Sequence, residues 1–484
     1  MRIRREKTLA IIVGFSMILT LCMVGFTTKA DASGYVYVDA PTGDPYLDYA
    51  AIQGALDTMS PKDTIVLAPG EYYIYKTLVK VGFYGSIVGA GMDETVIIAV
   101  NGSSDCFEAS HNPVMDGTSG EGSEDYYTSF FLFGSPEKKL AVSDLSLYLP
   151  EDTLVENSYT TFPGGFTYYW PYGETMWSAI EVTLAQGCDT SFDNVRVTGV
   201  PDLGGAGSPR NGISLWYSDG GKHTLTGCVL ENIGTFSYGP WGCSNAKFVV
   251  DSCEFNNGFR GWQSTYSTGL NVKISGSTFI DLDLAPAIAN YGLGSSHFMV
   301  SGNTFLNVRG AIWTYSWFDD YGLYPDDGSN YIFQQNDIDM THFGDFAGIE
   351  VWDGSPAKSH FVIVQNTIHH EDMIAPYGGI CLNGVHDGVV ANNKITGYGP
   401  AAMFIAAWTP DDDLEGVKII NNDVQGFELT AGWWHDFDTL DFYIIDPIAH
   451  YYLGPYSSYC ILVLGSSMDT YVDAGMYNMV VERG

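Results

Sequence analysis

Val300-Ser301-Gly302-Asn303-Thr304-Phe305 returns in altered form as Phe333-Gln334-Gln335-Asn336-Asp337-Ile338, Ile363-Val364-Gln365-Asn366-Thr367-Ile368 and Val390-Ala391-Asn392-Asn393-Lys394-Ile395. Upstream, the same phrase is spelled around Cys228, Cys253 and Ser277, and downstream around Asn422. Its fourth residue recurs after 25, 24, 26, 33, 30, 27 and 29 residues. Apolar residues open and close each phrase, with polar ones between, and strand-like content at a period in the twenties to thirties predicts a solenoid. The first and last residues of each phrase then face inward and stack on their equivalents, about 4.8 Å apart along the axis. The fourth residue is placed at the bend between two strands. Asparagine tolerates a left-handed backbone there, and its amide can bond to the amide one coil away. Weaker rungs are legible at Val142/Leu145/Leu147 and Phe192/Val195/Val197. A coiled coil or a sandwich does not give this period.

A second strand column follows each phrase at Ile213, Trp262, Ile288, Ile312, Ile349, Ile380 and Met403, with small residues before it, as in Ala347-Gly348 and Gly378-Gly379. Near the start, Asp48-Tyr49-Ala50-Ala51-Ile52-Gln53-Gly54-Ala55-Leu56 reads as a short helix capped by Asp48. Strand-like runs broken by Pro69-Gly70 and Gly89-Ala90-Gly91 follow it. On these residues the chain resembles the pectin-lyase-like superfamily. The resemblance implies an all-β, right-handed parallel β-helix whose open end is plugged by a helix of the Ala-Ile-Gln-x-Ala-Leu kind. One continuous domain over residues 33–484 is expected. Four insertions interrupt it, at residues 101–129, 159–172, 318–328 and after Asn422.

Arg2, Arg4, Arg5 and Lys7, the apolar run Leu9 to Phe26 and Ala30-Asp31-Ala32 have the form of an export signal over residues 1–32. The expected location is secreted or at the cell surface, with no membrane span in the mature chain. The whole chain holds 21 Lys+Arg against 57 Asp+Glu, a net charge of −36, and losing residues 1–32 takes it to −39. Such a charge repels nucleic acid and anionic membranes. Solubility in salty surroundings accounts for it. So do carboxylate clusters that bind calcium, the one cofactor the composition suggests, with Asp411-Asp412-Asp413 as one example. Seven cysteines remain after residue 32, an odd number without a close CxxC pair, which argues against a disulfide scaffold or a zinc site. Cys228 and Cys253 are most simply stacked side chains on consecutive coils.

Register also places the chemistry. Six residues after the fourth position lie Arg309, His342 and Asp372 on successive coils, with Glu371 beside them. If Ile312 and Ile349 point inward, Trp313 and Glu350 point outward, followed by Tyr315 and Trp352. Trp216 and Arg260 take related places on earlier coils. Aromatic faces beside a base, an imidazole and carboxylates suit a polysaccharide or other glycan as the ligand. In uronate elimination or epimerisation, Arg309 or His342 would take the proton. In hydrolysis, Glu350 with Glu371 or Asp372 would flank the glycosidic bond. A solvated acidic surface accounts for the same residues. The Gly-His-Gly and Arg-Ile-Lys elements of polygalacturonases are absent, as is the Asp-Pro-His-Asp element of alginate epimerases, so no family's catalytic residues carry over. A lyase or hydrolase and a non-catalytic adhesive β-helix are therefore both open.

Overall fold

The computed structural model describes residues 34–100, 126–150, 176–200, 209–291, 294–316, 329–340, 346–353, 360–370, 379–383, 387–397 and 402–406, with Val385 and short strand segments elsewhere up to Arg483. Each coil of the repeat region contributes three strands. One such coil is His297–Ser301, Thr304–Val308 and Gly310–Ser316, and the next is Asn330–Gln334, Asp337–Met340 and Ile349–Asp353. The strands pair in parallel with the equivalent strands of neighbouring coils, in sheets of 24 and 13 strands among the described residues. Parallel strands joined by crossovers within one sheet wind right-handed. This is the right-handed parallel β-helix that the repeat predicts. Beyond Phe427, Cys460–Leu464 and Met479–Arg483 add further rungs to the second sheet.

Inside the coil, equivalent residues pile on one another. Phe255, Phe279 and Phe305 stack with ring centroids 4.8 and 4.7 Å apart, nearly parallel. Asn303, Asn336, Asn366, Asn393 and Asn422 form one file of buried side chains. Each Nδ2 donates to the next Oδ1, at 3.1, 2.9, 3.0 and 2.9 Å in turn. The same Oδ1 atoms accept the backbone N–H of the preceding Asn. The bend differs from expectation in one respect. The left-handed residue is not the ladder asparagine but the one before it: Gly302 has φ +64°, Gln335 +56°, Gln365 +58° and Asn392 +55°. That turn aims the asparagine inward, where its amide replaces the backbone ladder interrupted at the corner. Cys253 and Cys228 hold the same place two and three coils upstream of Asn303, and both are free thiols in the core.

The small residues before the second column have a steric cause. A Cβ on Gly379 would stand 2.5 Å from Ile395 Cγ2, so the corner passes too close to the packed interior for a side chain.

The N-terminal helix spans Pro45–Thr58. Its cap is Asp44 rather than Asp48, with Oδ1 accepting from Tyr46 N at 2.9 Å and Leu47 N at 3.2 Å. Asp48 is instead buried, and its carboxylate accepts from Thr42 N, Thr42 Oγ1 and Tyr73 N. Gln53 stands in for a further strand. Its side chain exchanges two hydrogen bonds with the backbone of Val79 in the edge strand Leu78–Val81. Asp44→Ala should lower stability by about 1 kcal/mol, read from the denaturation midpoint. Asp44→Asn should restore most of it.

Two insertions carry short antiparallel hairpins, Ser110–His111 with Tyr126–Tyr127 and Tyr159–Thr161 with Thr167–Tyr169. Residues 318–328 and Asp411–Asp413 lie outside the described residues. No described helix is long and apolar enough to cross a membrane.

Candidate functional site

The second sheet has one face toward the core and one away from it. Ile180, Ile213, Tyr238, Trp262, Ile288, Ile312, Ile349 and Ile380 align coil to coil and are buried. Their neighbours therefore form an outward column in the order Glu181, Ser214, Gly239, Gln263, Ala289, Trp313, Glu350 and Cys381. Two residues on, a second outward column holds Trp216, Trp241, Thr265, Tyr291, Tyr315 and Trp352.

Four of the expected residues come together here. Trp313 lies 5.4 Å from Tyr315 between ring centroids, and Tyr315 lies 5.5 Å from Trp352. Glu350 is paired with Trp313 across the strands and sits beside Trp352. Its carboxylate accepts from Ala347 N at 3.4 Å, and at 3 % exposure it is enclosed rather than laid open as its outward position suggested. Burial first, and the Glu350 carboxylate second, push the Tyr315 hydroxyl up to about 12. The same two causes raise the Cys381 thiol.

Arg260 joins this group through Tyr291, its guanidinium 5.4 Å from that ring, which in turn meets Trp313 at 5.1 Å. Arg309 reaches it from the rim. Its guanidinium lies 6.0 Å from the Phe346 ring, itself 5.8 Å from Trp313, and Nη1 donates to Leu284 O at 3.3 Å. Of the expected corner file of Arg309, His342 and Asp372, Arg309 alone lies among the described residues. A bulge between Phe305 and Val308 shifts the pairing so that Val308 meets Met340. His342, Glu371 and Asp372 lie outside the described residues.

Trp216 belongs to a separate cluster. It stacks on Trp241 at 5.3 Å and approaches Trp177 at 6.1 Å, four coils or roughly 19 Å from Tyr315. That end holds a carboxylate missed in the sequence. Glu181 is fully buried, and its Oε2 accepts from Ser178 Oγ at 2.9 Å and Ser214 Oγ at 2.8 Å. The alternation in Ala179-Ile180-Glu181-Val182 was the available signal. Six coils, roughly 29 Å, separate Glu181 from Glu350, far beyond the roughly 5–10 Å that two carboxylates need to work on one glycosidic bond.

Residues 287–437, about a third of the chain, match the family model described as the right handed beta helix region. Among curated proteins none matches the chain. Several solved structures follow a similar course. The mannuronan C-5 epimerase A-module of Azotobacter vinelandii is 15% identical, with 78% of this chain and 92% of that one covered and a TM-score of 0.42. A GH87 alpha-1,3-glucanase catalytic unit from Streptomyces thermodiastaticus is 14% identical, covering 83% and 69%, at 0.43. The DFA-IIIase of Arthrobacter chlorophenolicus is 12% identical, covering 93% and 97%, at 0.41. At these scores the likeness carries no argument. Coil register and the matched repeat model agree that the chain folds as a right-handed parallel β-helix.

Proposed function

We propose that the chain is an exported, carbohydrate-active β-helix protein, a polysaccharide lyase or glycoside hydrolase that holds an extracellular glycan along the outward face of its second sheet. One observation carries this reading. Trp313, Tyr315 and Trp352 form a contiguous aromatic strip on two adjacent coils, with the Glu350 carboxylate set into it. Aromatic rings offer flat apolar area to sugar faces, and a carboxylate shielded among them is placed for proton transfer. In the hydrolytic form Glu350 works with Glu371 or Asp372; in the eliminative form Arg309 or His342 takes the proton.

The enclosure of Glu350 also favours a second reading, a non-catalytic surface protein that binds glycans through the aromatic strip. The two separate on a panel of acidic and neutral polysaccharides, followed by reducing-end release and by absorbance of unsaturated products, with and without EDTA. A lyase makes unsaturated ends, a hydrolase makes reducing ends alone, and an adhesin makes neither while still binding. EDTA sensitivity would bring in calcium. Trp313→Ala and Trp352→Ala should each weaken binding about 5- to 150-fold, about 1–3 kcal/mol. Unchanged binding in both would remove the strip from the site.

A further inference from the structure

Arg260 is a cation with no carboxylate partner among the described residues of a chain rich in carboxylates. The sequence holds 57 Asp+Glu, yet among the described residues none pairs with this guanidinium. Its neighbours are an amide and two rings. Nη1 donates to Gln263 Oε1 at 2.7 Å, and the guanidinium lies 4.7 Å from the Phe259 ring and 5.4 Å from the Tyr291 ring. Gln263 is itself fixed, its Nε2 donating to Thr265 Oγ1 at 3.1 Å, so the amide orients the fork. The Nε–H is buried without an acceptor. Partial burial lowers the pKa of the group, and only Tyr291 acts against that.

Such an arrangement is costly unless something supplies negative charge. Taking a guanidinium partly out of water costs free energy, and stacking on rings offsets only part of it. Its planar fork matches an oxyanion with two parallel hydrogen bonds. Arg260 stands on the same outward face as the aromatic strip and touches it through Tyr291.

We propose that Arg260 is the subsite for an oxyanion carried by a sugar, a uronate carboxylate or a sulfate ester, so that the groove takes acidic glycans. This rests on the reading of the face as a glycan groove. It also explains how a chain of net charge −36 could accept a polyanion: the local field at Arg260 opposes the global one, and beyond about 8–10 Å salt screens the global one at physiological ionic strength.

The test uses the purified protein and three matched oligosaccharide sets: uronate-containing, the same with carboxyls reduced to alcohols, and the reduced set carrying sulfate esters. Binding is read by tryptophan fluorescence and calorimetry. The wild type should bind a charged set about 10- to 100-fold more tightly than the reduced one, with a preference that shrinks as salt rises. Whether the uronate or the sulfated set gains more names the source of the oxyanion. Arg260→Gln should abolish the preference while leaving reduced-set affinity within about threefold, and Arg260→Lys should keep part of it. Equal affinity for charged and reduced sets in the wild type, or equal loss on both in Arg260→Gln, overturns the subsite and leaves the glycan groove standing. No binding of any set overturns both.

Discussion

Asn366→Ala is expected to destabilise the protein by about 3–6 kcal/mol, because it strands polar groups in the core as well as removing contacts. The side chain is buried and makes four hydrogen bonds. Oδ1 accepts from Asn336 N at 3.1 Å and Asn336 Nδ2 at 2.9 Å. Nδ2 donates to Phe333 O at 2.9 Å and Asn393 Oδ1 at 3.0 Å. Alanine leaves two donors of Asn336 in the core with no acceptor, at about 1–3 kcal/mol each, and opens a small cavity besides. Water could restore these bonds only by entering an interior closed by strands on all three sides. Gln335→Asn is the matched control. Gln335 is exposed, its left-handed backbone suits asparagine, and its amide reaches Gln365 Oε1 only at 3.3 Å, so the change should stay within about 0.5 kcal/mol. Urea denaturation of both variants decides the matter. Similar midpoint shifts would mean that the asparagine file is ornament and that the apolar columns alone hold the coil. Hydrogen exchange should show the loss spreading first to the coils of Asn336 and Asn393, because a solenoid transmits stability between neighbours.

The coil was legible because its constraints are local and repeated. Parallel stacking brings the same phrase position to the same place every time, so Asn303 to Asn422 could be filed from spacing alone. The inward and outward alternation around Ile312 and Ile349 followed from strand geometry. What spacing does not carry are details that depend on one coil differing from the next. A bulge lies between Phe305 and Val308, and spacing cannot report a bulge. Asp48 reads as a cap because acids begin helices, but Pro45 starts this helix three residues earlier and Asp44 takes the role. Glu181 was missed because its coil lacks a strong phrase to set the register. The enclosure of Glu350 was likewise invisible, since alternation gives the direction of a side chain and says nothing about what lies over it.

For the hydrolytic form, Glu350→Gln should reduce turnover about 10²- to 10⁴-fold on the polysaccharide the wild type hydrolyses, with glycan affinity changed less than about threefold. Glutamine has nearly the same shape, and its amide oxygen can keep the bond from Ala347 N. What it loses is the charge and the exchangeable proton. The neighbours cannot stand in. Tyr315, held near 12, stays protonated through the working pH range, and the raised Cys381 thiol stays neutral. Stability separates a chemical loss from a structural one. Removing an enclosed charge should leave the melting temperature unchanged or higher, whereas breaking a necessary ion pair would lower it. Lost turnover with an undiminished melting temperature and intact binding assigns proton transfer to Glu350. Full turnover in the glutamine variant would move the chemistry off this strand and leave the carboxylate a structural role that includes holding Ala347 N.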